Sequence, residues 1–146
     1  MAATAVEAAE DALRTAIAGR AGLAGVQVDL GDPGSNVLPE HIWIAESAPD
    51  EEQEWETTGV GSQQRRETFT IRVVVLVEQS GNDYQAIRDR ARVLSAEIEE
   101  AVRANQTLAG AVFHAEVSAD RRATGGTDEG RIVQREVLVR CMAFLA

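Results

Sequence analysis

The side chains best suited to nucleophilic or acid–base chemistry are few in this sequence and widely separated. Cys141 is the sole cysteine, and the histidines are His41 and His114. A thiol mechanism needs a histidine and a carboxylate beside the cysteine. Cys141 instead lies on the apolar face of a predicted strand, where a cysteine is expected to be buried as a small apolar side chain. We therefore expect no catalytic residue and no enzymatic activity.

Metal and phosphate chemistry are poorly represented as well. Neither histidine has a second ligand at the spacing of a zinc site. The acidic run at 50–56 lacks the alternating oxygen ligands and the fixed glycine of a calcium loop. All 14 positively charged residues are arginine, which excludes a lysine Schiff base and a P-loop lysine. The sequence thus predicts neither a metal site nor a cofactor.

Length and charge narrow the class of protein. The chain has 146 residues, 45% hydrophobic and 26% charged, which indicates a single soluble domain over 1–146. Its formal net charge of −10 argues against specific nucleic-acid binding, because binding to phosphates needs positive charge. No apolar run approaches the roughly 18 residues of a membrane span. The first residues lack the basic start of a secretory signal, so a cytoplasmic setting is expected.

Hydrophobic periodicity predicts seven elements in the order α-β-β-β-α-β-β. The first helix begins at a capping-box pattern formed by Thr4 and Glu7, and the second carries an apolar stripe from Tyr84 to Ala101. Both helices can bury their stripes on one face of a sheet. We expect an α+β fold: a two-layer α/β sandwich with a mixed, mostly antiparallel sheet. Strands are predicted near 26–30, 41–45, 67–78, 112–119 and 131–145, with a polar loop at 120–130.

The segment at 46–66 differs in composition from the rest of the chain. Six of its first eleven residues are acidic, and Arg65 and Arg66 close it. It is interpreted as an inserted loop between two strands, or as a hairpin whose arms continue those strands. Such acidic runs are usually solvated, but Trp55 within it belongs to a residue type that often anchors protein interfaces.

A second apolar face on the predicted strands indicates an interface. Its members include Val74, Leu76, Leu138 and Phe144, which alternate with the residues expected in the core. If the helices cover one face only, these side chains form an exposed patch of the kind that marks protein–protein contacts. Arginines on the same face could pair with carboxylates of a neighbour. The candidate interface residues are Asp50, Glu51, Glu52, Glu54, Trp55, Arg65, Arg66, Arg72, Arg135, Leu138 and Arg140.

Several segments together resemble one family of phage proteins. They are the early helix, Glu40-His-Ile-Trp-Ile44, Arg66-Glu-Thr-Phe-Thr-Ile-Arg-Val-Val-Val75, Asp83-Tyr-Gln-Ala-Ile-Arg-Asp-Arg-Ala91 and Gly130-Arg-Ile-Val-Gln-Arg-Glu-Val-Leu-Val139. In the order of their elements and in their general residue pattern, these segments resemble the tail-terminator, or tail-completion, proteins of long-tailed, siphovirus-type bacteriophages. The resemblance covers most of the chain and includes no catalytic motif.

This resemblance implies a two-layer subunit that assembles with itself into a hexameric ring. The ring would cap the phage tail tube, end its polymerisation and provide the joint to the head-neck connector proteins. It would reside at the head-proximal end of the virion tail, and in the host cytoplasm during assembly. The segment at 46–66 corresponds to a hairpin that either faces a DNA conduit or docks on a basic partner. Alternatives are another neck, head-completion or minor tail protein, or a dimeric ferredoxin-like binding module.

Overall fold

Six strands form one mixed sheet, and two helices pack against one of its faces. The structure is a computed structural model that describes residues 4–32, 34, 38–45, 53–57, 65–80, 83–127 and 130–145. In chain order the elements are α1 (Val6–Ala18), a 3-10 turn (Ala21–Leu23), β1 (Gln27–Leu30), β2 (Glu40–Ile44), β3 (Gln53–Thr57), β4 (Arg65–Ser80), α2 (Tyr84–Ala104), β5 (His114–Thr127) and β6 (Gly130–Leu145).

The strands lie in the order β1-β2-β4-β6-β5, with β3 beside the first part of β4. The pair β1–β2 is parallel and every other pair is antiparallel. One edge of β4 is shared, because β3 pairs with Arg65–Phe69 and β2 with Val73–Val77. The other edge pairs with β6 along the whole of β4. The predicted α+β class and mostly antiparallel sheet are therefore confirmed.

Alternation along the strands separates an inner face, covered by the helices, from an outer face. On the inner face Phe69, Ile71 and Val73 lie opposite Cys141, Val139 and Val137. All are buried in one cluster with the helices, since the hydrophobic effect favours joining the two apolar surfaces. The helix residues of that cluster are Ala9, Leu13 and Ile17 from α1, and Ile87, Ala91, Leu94, Ile98, Ala101 and Val102 from α2.

Two of the predicted connections contain strand. Residues 53–57 form β3, so the hairpin interpretation holds for this part of the acidic segment, whereas 46–52 and 58–64 lie outside the described residues. The predicted polar loop at 120–130 is wrong over 120–127, because β5 continues to Thr127 and pairs with β6 down to Gly130. A β-bulge between Val117 and Ala119 shifts the register within β5.

A buried carboxylate from β4 holds the start of α1. The Ala5 backbone N–H donates to Glu67 Oε1 at 2.8 Å, and the Thr4 hydroxyl donates to Glu67 Oε2 at 2.7 Å. Thr4 Oγ1 also accepts from the Val6 N–H at 3.2 Å. The predicted capping box is wrong, because the N-cap residue is Ala5 and no side chain caps it from within the helix. Glu67 is fully buried, and its charge is favoured at the positive end of the helix dipole.

We expect Glu67→Gln to lower the free energy of unfolding by about 1–3 kcal/mol, because it weakens charge-assisted hydrogen bonds inside the protein. Urea unfolding followed by circular dichroism measures this change. Glu78→Gln, at an exposed position of the same strand, is the matched control and should be nearly neutral. Equal small effects from both substitutions would contradict a capping role for Glu67.

Candidate functional site

Cys141 occupies a position unsuited to nucleophilic catalysis. Its side chain is fully buried on the inner face, opposite Phe69 on one side and Ala115 on the other. Burial raises the pKa of the Cys141 thiol to about 12. The thiolate is the reactive form, so this cysteine is almost entirely unreactive thiol near neutral pH.

His41 takes part in a polar network that links β1 to β2. Its Nε2 atom lies 3.1 Å from Asp29 Oδ2, which also accepts from Gln27 Nε2 at 2.7 Å. Gln27 Oε1 in turn accepts from the Leu38 backbone N–H at 2.8 Å. The imidazole is fully buried and stacks on Trp43, with the ring centroids 4.9 Å apart. Sequence reasoning missed this network, although Gln27 and Asp29 have the alternation expected of one strand face.

The pair formed by His41 and Asp29 has a structural role, because its contacts connect β1 to β2. Among the described residues, no group of three or more His, Cys, Asp or Glu side chains is arranged to hold a metal ion. Cys141 lies on the inner face, whereas His41 lies opposite Leu76 on the outer face. The sheet therefore separates the thiol from this imidazole.

The outer face of β4 and β6 combines apolar and arginine side chains. Arg72 lies opposite Leu138, and Thr70 lies opposite Arg140. Leu138 is partly exposed and Arg140 exposed, while Val74 is 6% exposed yet is not part of the core cluster. The two described helices pack on the inner face, so neither covers this surface. The sequence predicts an exposed apolar patch on this face, and Val74 within it is instead nearly buried.

An aromatic pair marks one corner of the sheet. Phe113, just before β5, is 63% exposed, and Phe144 of β6 is 44% exposed. Their ring centroids lie 5.3 Å apart at an interplanar angle of 72°, an edge-to-face arrangement. The strand predicted at 112–119 includes Phe113, but the residue precedes β5 and its side chain is solvent-exposed. Two exposed phenylalanines extend the apolar area toward the edge of the sheet.

One predicted member of the outer face belongs to the inner face. Arg135 lies opposite Val75 of β4. Its Nε donates to Asp120 Oδ1 at 3.1 Å and its Nη2 donates to Asp120 Oδ2 at 2.9 Å. The prediction that Arg135 shares a face with Arg72 and Arg140 is wrong, because odd-numbered residues of β6 point inward. The bidentate pair keeps its charge at the border of the core.

The remaining predicted interface residues are spread over several places. Arg66 lies opposite Phe144 and thus on the outer face, whereas Arg65 lies opposite Leu145 on the inner face. Glu54 and Trp55 are in β3, at the positions opposite Thr68 and Glu67. The structure therefore brings together Arg66, Arg72, Leu138 and Arg140 on one face. Asp50, Glu51 and Glu52 lie outside the described residues.

An acidic groove, which the sequence did not reveal, lies where α1 passes β1. Glu7, Glu10 and Asp11 line it together with Leu30, Gly31 and Ile44, around a volume of about 260 Å³. Burial, followed by repulsion from Glu7 and Asp11, raises the pKa of the Glu10 carboxyl. Leu30 is 45% exposed, so the groove has an apolar wall open to solvent.

We expect Glu10→Gln to raise the melting temperature at pH 7. A carboxyl with a raised pKa in the folded state holds its proton more tightly there, so stability falls as pH rises through the interval above the unfolded-state value. The gain should vanish below about pH 4, where the carboxyl is protonated in both states. Thermal unfolding of dilute protein at both pH values measures it, with Glu78→Gln as control. A gain that persists unchanged in acid would contradict the electrostatic cause.

Comparisons with known proteins identify the fold. No protein-family model matches the sequence, and no curated protein is significantly similar to it. A chain in a structure described as the virion of a native gene transfer agent (GTA) particle is similar in fold, with a TM-score of 0.59. The match covers 99% of this chain and 100% of that chain at 9% sequence identity. At this identity the likeness shows a shared fold alone.

A helix that crosses a bilayer must be about 20 residues long and mostly apolar. Within the described part of the chain, no helix is both long enough and apolar enough to cross a membrane.

Proposed function

We propose that this protein is a non-enzymatic structural subunit of a phage-like virion, and specifically a tail terminator. In this role copies of the chain form a ring that caps the tail tube, ends its polymerisation and joins it to the head-neck proteins. The observation that carries the proposal is the outer face of the sheet, where arginine and apolar side chains lie with no described helix over them. Such a face is typical of a subunit that works by contacting other proteins.

The fold comparison supports the broader part of this proposal. The GTA virion chain matches this chain over nearly its whole length, so one domain of this kind is used in a phage-like particle. The sequence resemblance to tail terminators supports the narrower part. The ring, the tube contact and the position at the head-proximal end of the tail rest on that resemblance.

The side-chain chemistry supports an assembly role over catalysis. The Cys141 thiol is buried with a strongly raised pKa, and His41 is held in a structural network. Arginine supplies every positive charge, and its planar guanidinium pairs with carboxylates through two hydrogen bonds. Arg140, which is exposed on the outer face, is therefore suited to an acidic group on a tube or neck protein.

The uneven charge of the chain supports a distinct role for the acidic segment. Six of the ten net negative charges lie at 46–56, so the other residues carry only the remaining four. We infer that this segment either contacts a basic surface of the tube or neck, or repels DNA that passes through the ring. Residues 53–57 of this segment form β3, which pairs with the first residues of β4.

The oligomeric state tests the proposed function directly. We expect purified protein to form a closed ring of six copies, visible as a six-fold ring in negative-stain images. Sedimentation at micromolar and higher concentrations should give the corresponding mass. A monomer at every concentration, or a closed two-fold dimer, would contradict the tail-terminator role. The dimer would favour a small binding module instead.

A second prediction concerns the outer face. We expect Leu138→Asp to weaken binding to the tube or neck protein about tenfold or more, because it places a charge within an apolar contact. The second measurement is complementation in a phage or phage-like element whose genome encodes this chain. When the gene for this chain is deleted and the variant is supplied instead, the variant should fail to restore tails of uniform length. Val93→Asp, at a 46% exposed site on α2, is the matched control and should restore them. A folded Leu138→Asp variant that binds the tube or neck protein normally and restores uniform tails would exclude the outer face as the contact surface.

A further inference from the structure

The two edges of the sheet differ in charge. β1 forms one edge and β5 the other, and no described strand pairs with the free side of either. Beside β1 lies the acidic groove, whose Glu7 and Asp11 are exposed. Arg121 and Arg122 are exposed on β5 at the opposite edge. Unpaired strand edges are surfaces that readily accept another strand.

The pairing registers place Asp29 of β1 and Arg121 of β5 at the same level of the sheet. One row across the strands runs from Asp29 through Trp43, Val74 and Glu136 to Arg121. Asp29 and Arg121 therefore lie at the two ends of one row, and both belong to the outer face. Arg121 contacts Glu136 only at 4.0 Å and is 70% exposed at its side chain, so its charge remains available to a neighbour.

The adjacent row ends at the second arginine of β5, on the inner face. It runs from Val28 through Ile42, Val75 and Arg135 to Arg122. Arg122 thus lies on the same side of the sheet as the acidic groove. The groove residues Leu30 and Ile44 lie on the next inward-facing row, which ends at Asp120, so Arg122 is one inward-facing row away from them.

We propose that the β1 edge of one copy pairs with the β5 edge of the next, so that Arg121 meets Asp29 and Arg122 enters the acidic groove. β1 runs antiparallel to β5 within one sheet, so a second copy displaced along the rows would place the two edges side by side as antiparallel neighbours. The two contact surfaces are different parts of the chain, which is the heterologous arrangement that closes into a ring. This inference rests on the proposed ring and identifies its contact.

Charge complementarity favours a second copy over another partner. The same chain supplies both signs on matching faces, and Asp29 and Arg121 also lie at matching heights. Opposite charges on the two edges also disfavour pairing of β1 with β1 or of β5 with β5, because like charges would then meet. The edges consequently select a head-to-tail order.

Charge reversal at either edge tests the contact. We expect Arg121→Glu with Arg122→Glu, and separately Glu7→Arg with Asp11→Arg, to raise the dissociation constant of the ring by about 100-fold or more. Sedimentation of each purified variant measures this change. Arg88→Glu with Arg92→Glu on α2 changes the net charge as much as the first variant, and should leave the ring intact.

Mixing the two edge variants separates a lost contact from a folding defect. For this test Arg122→Glu alone is mixed with the Glu7→Arg and Asp11→Arg variant, so that Arg121 still meets the unchanged Asp29. Each variant alone should be monomeric, whereas an equimolar mixture should regain the wild-type mass, because the reversed charges then face one another. Where the double variant fails to fold, Arg122→Glu and Asp11→Arg are mixed instead. A mixture that stays monomeric overturns the edge contact.

The oligomeric state of the wild-type protein separates the proposed edge contact from the proposed tail-terminator role. A ring whose mass is unchanged by both edge variants overturns the edge contact and leaves the tail-terminator role standing. A wild-type chain that is monomeric at every concentration overturns both. Weakening of the wild-type ring by added salt is expected in addition, because salt screens exposed charge pairs.

Discussion

The pairing of β4 with β6 is the constraint on which the rest of this structure depends. It runs from Arg65 opposite Leu145 to Ser80 opposite Gly130 and determines the face of each side chain in both strands. Because side chains alternate, this single register sends one set to the helices and leaves the other set uncovered. A shift by one residue would exchange Val137 and Val139 with Leu138 and Arg140. The core and the contact surface are thus two results of one alignment.

The sequence predicts best the elements whose pattern is local. α2 follows directly from its apolar stripe, and β4 and β6 follow from long alternation of valine and isoleucine with other residues. Glu67 could not be predicted as the cap of α1, because it lies 62 residues from Ala5 in the chain and only the fold brings them together. The sequence does not indicate the end of β5, because Gly125 and Gly126 are typical of loops, whereas pairing with β6 makes them part of a strand.

The candidate site shows the same division. Alternation placed Leu138 and Arg140 correctly on the outer face, and the same alternation should have placed Arg135 inward. An arginine at an inward position is acceptable because Asp120 accepts two of its hydrogen bonds. The acidic groove depends on the packing of α1 beside β1, so no segment of the sequence indicates it alone. A surface formed by one strand can be predicted from its alternation, whereas a surface formed by two distant elements cannot be predicted from either segment alone.

The bulge in β5 decides which side of the sheet receives each of its charges. Before it, Ala115 and Val117 lie on the inner face; after it, the inner positions belong to Asp120 and Arg122. Removal of one residue there would turn Asp120 outward, leave Arg135 without its carboxylate and exchange the faces of the two neighbouring arginines. A single inserted residue therefore reverses the alternation of side chains along β5. The first half of the strand contributes apolar side chains to the core, and the second half places charged side chains on both faces.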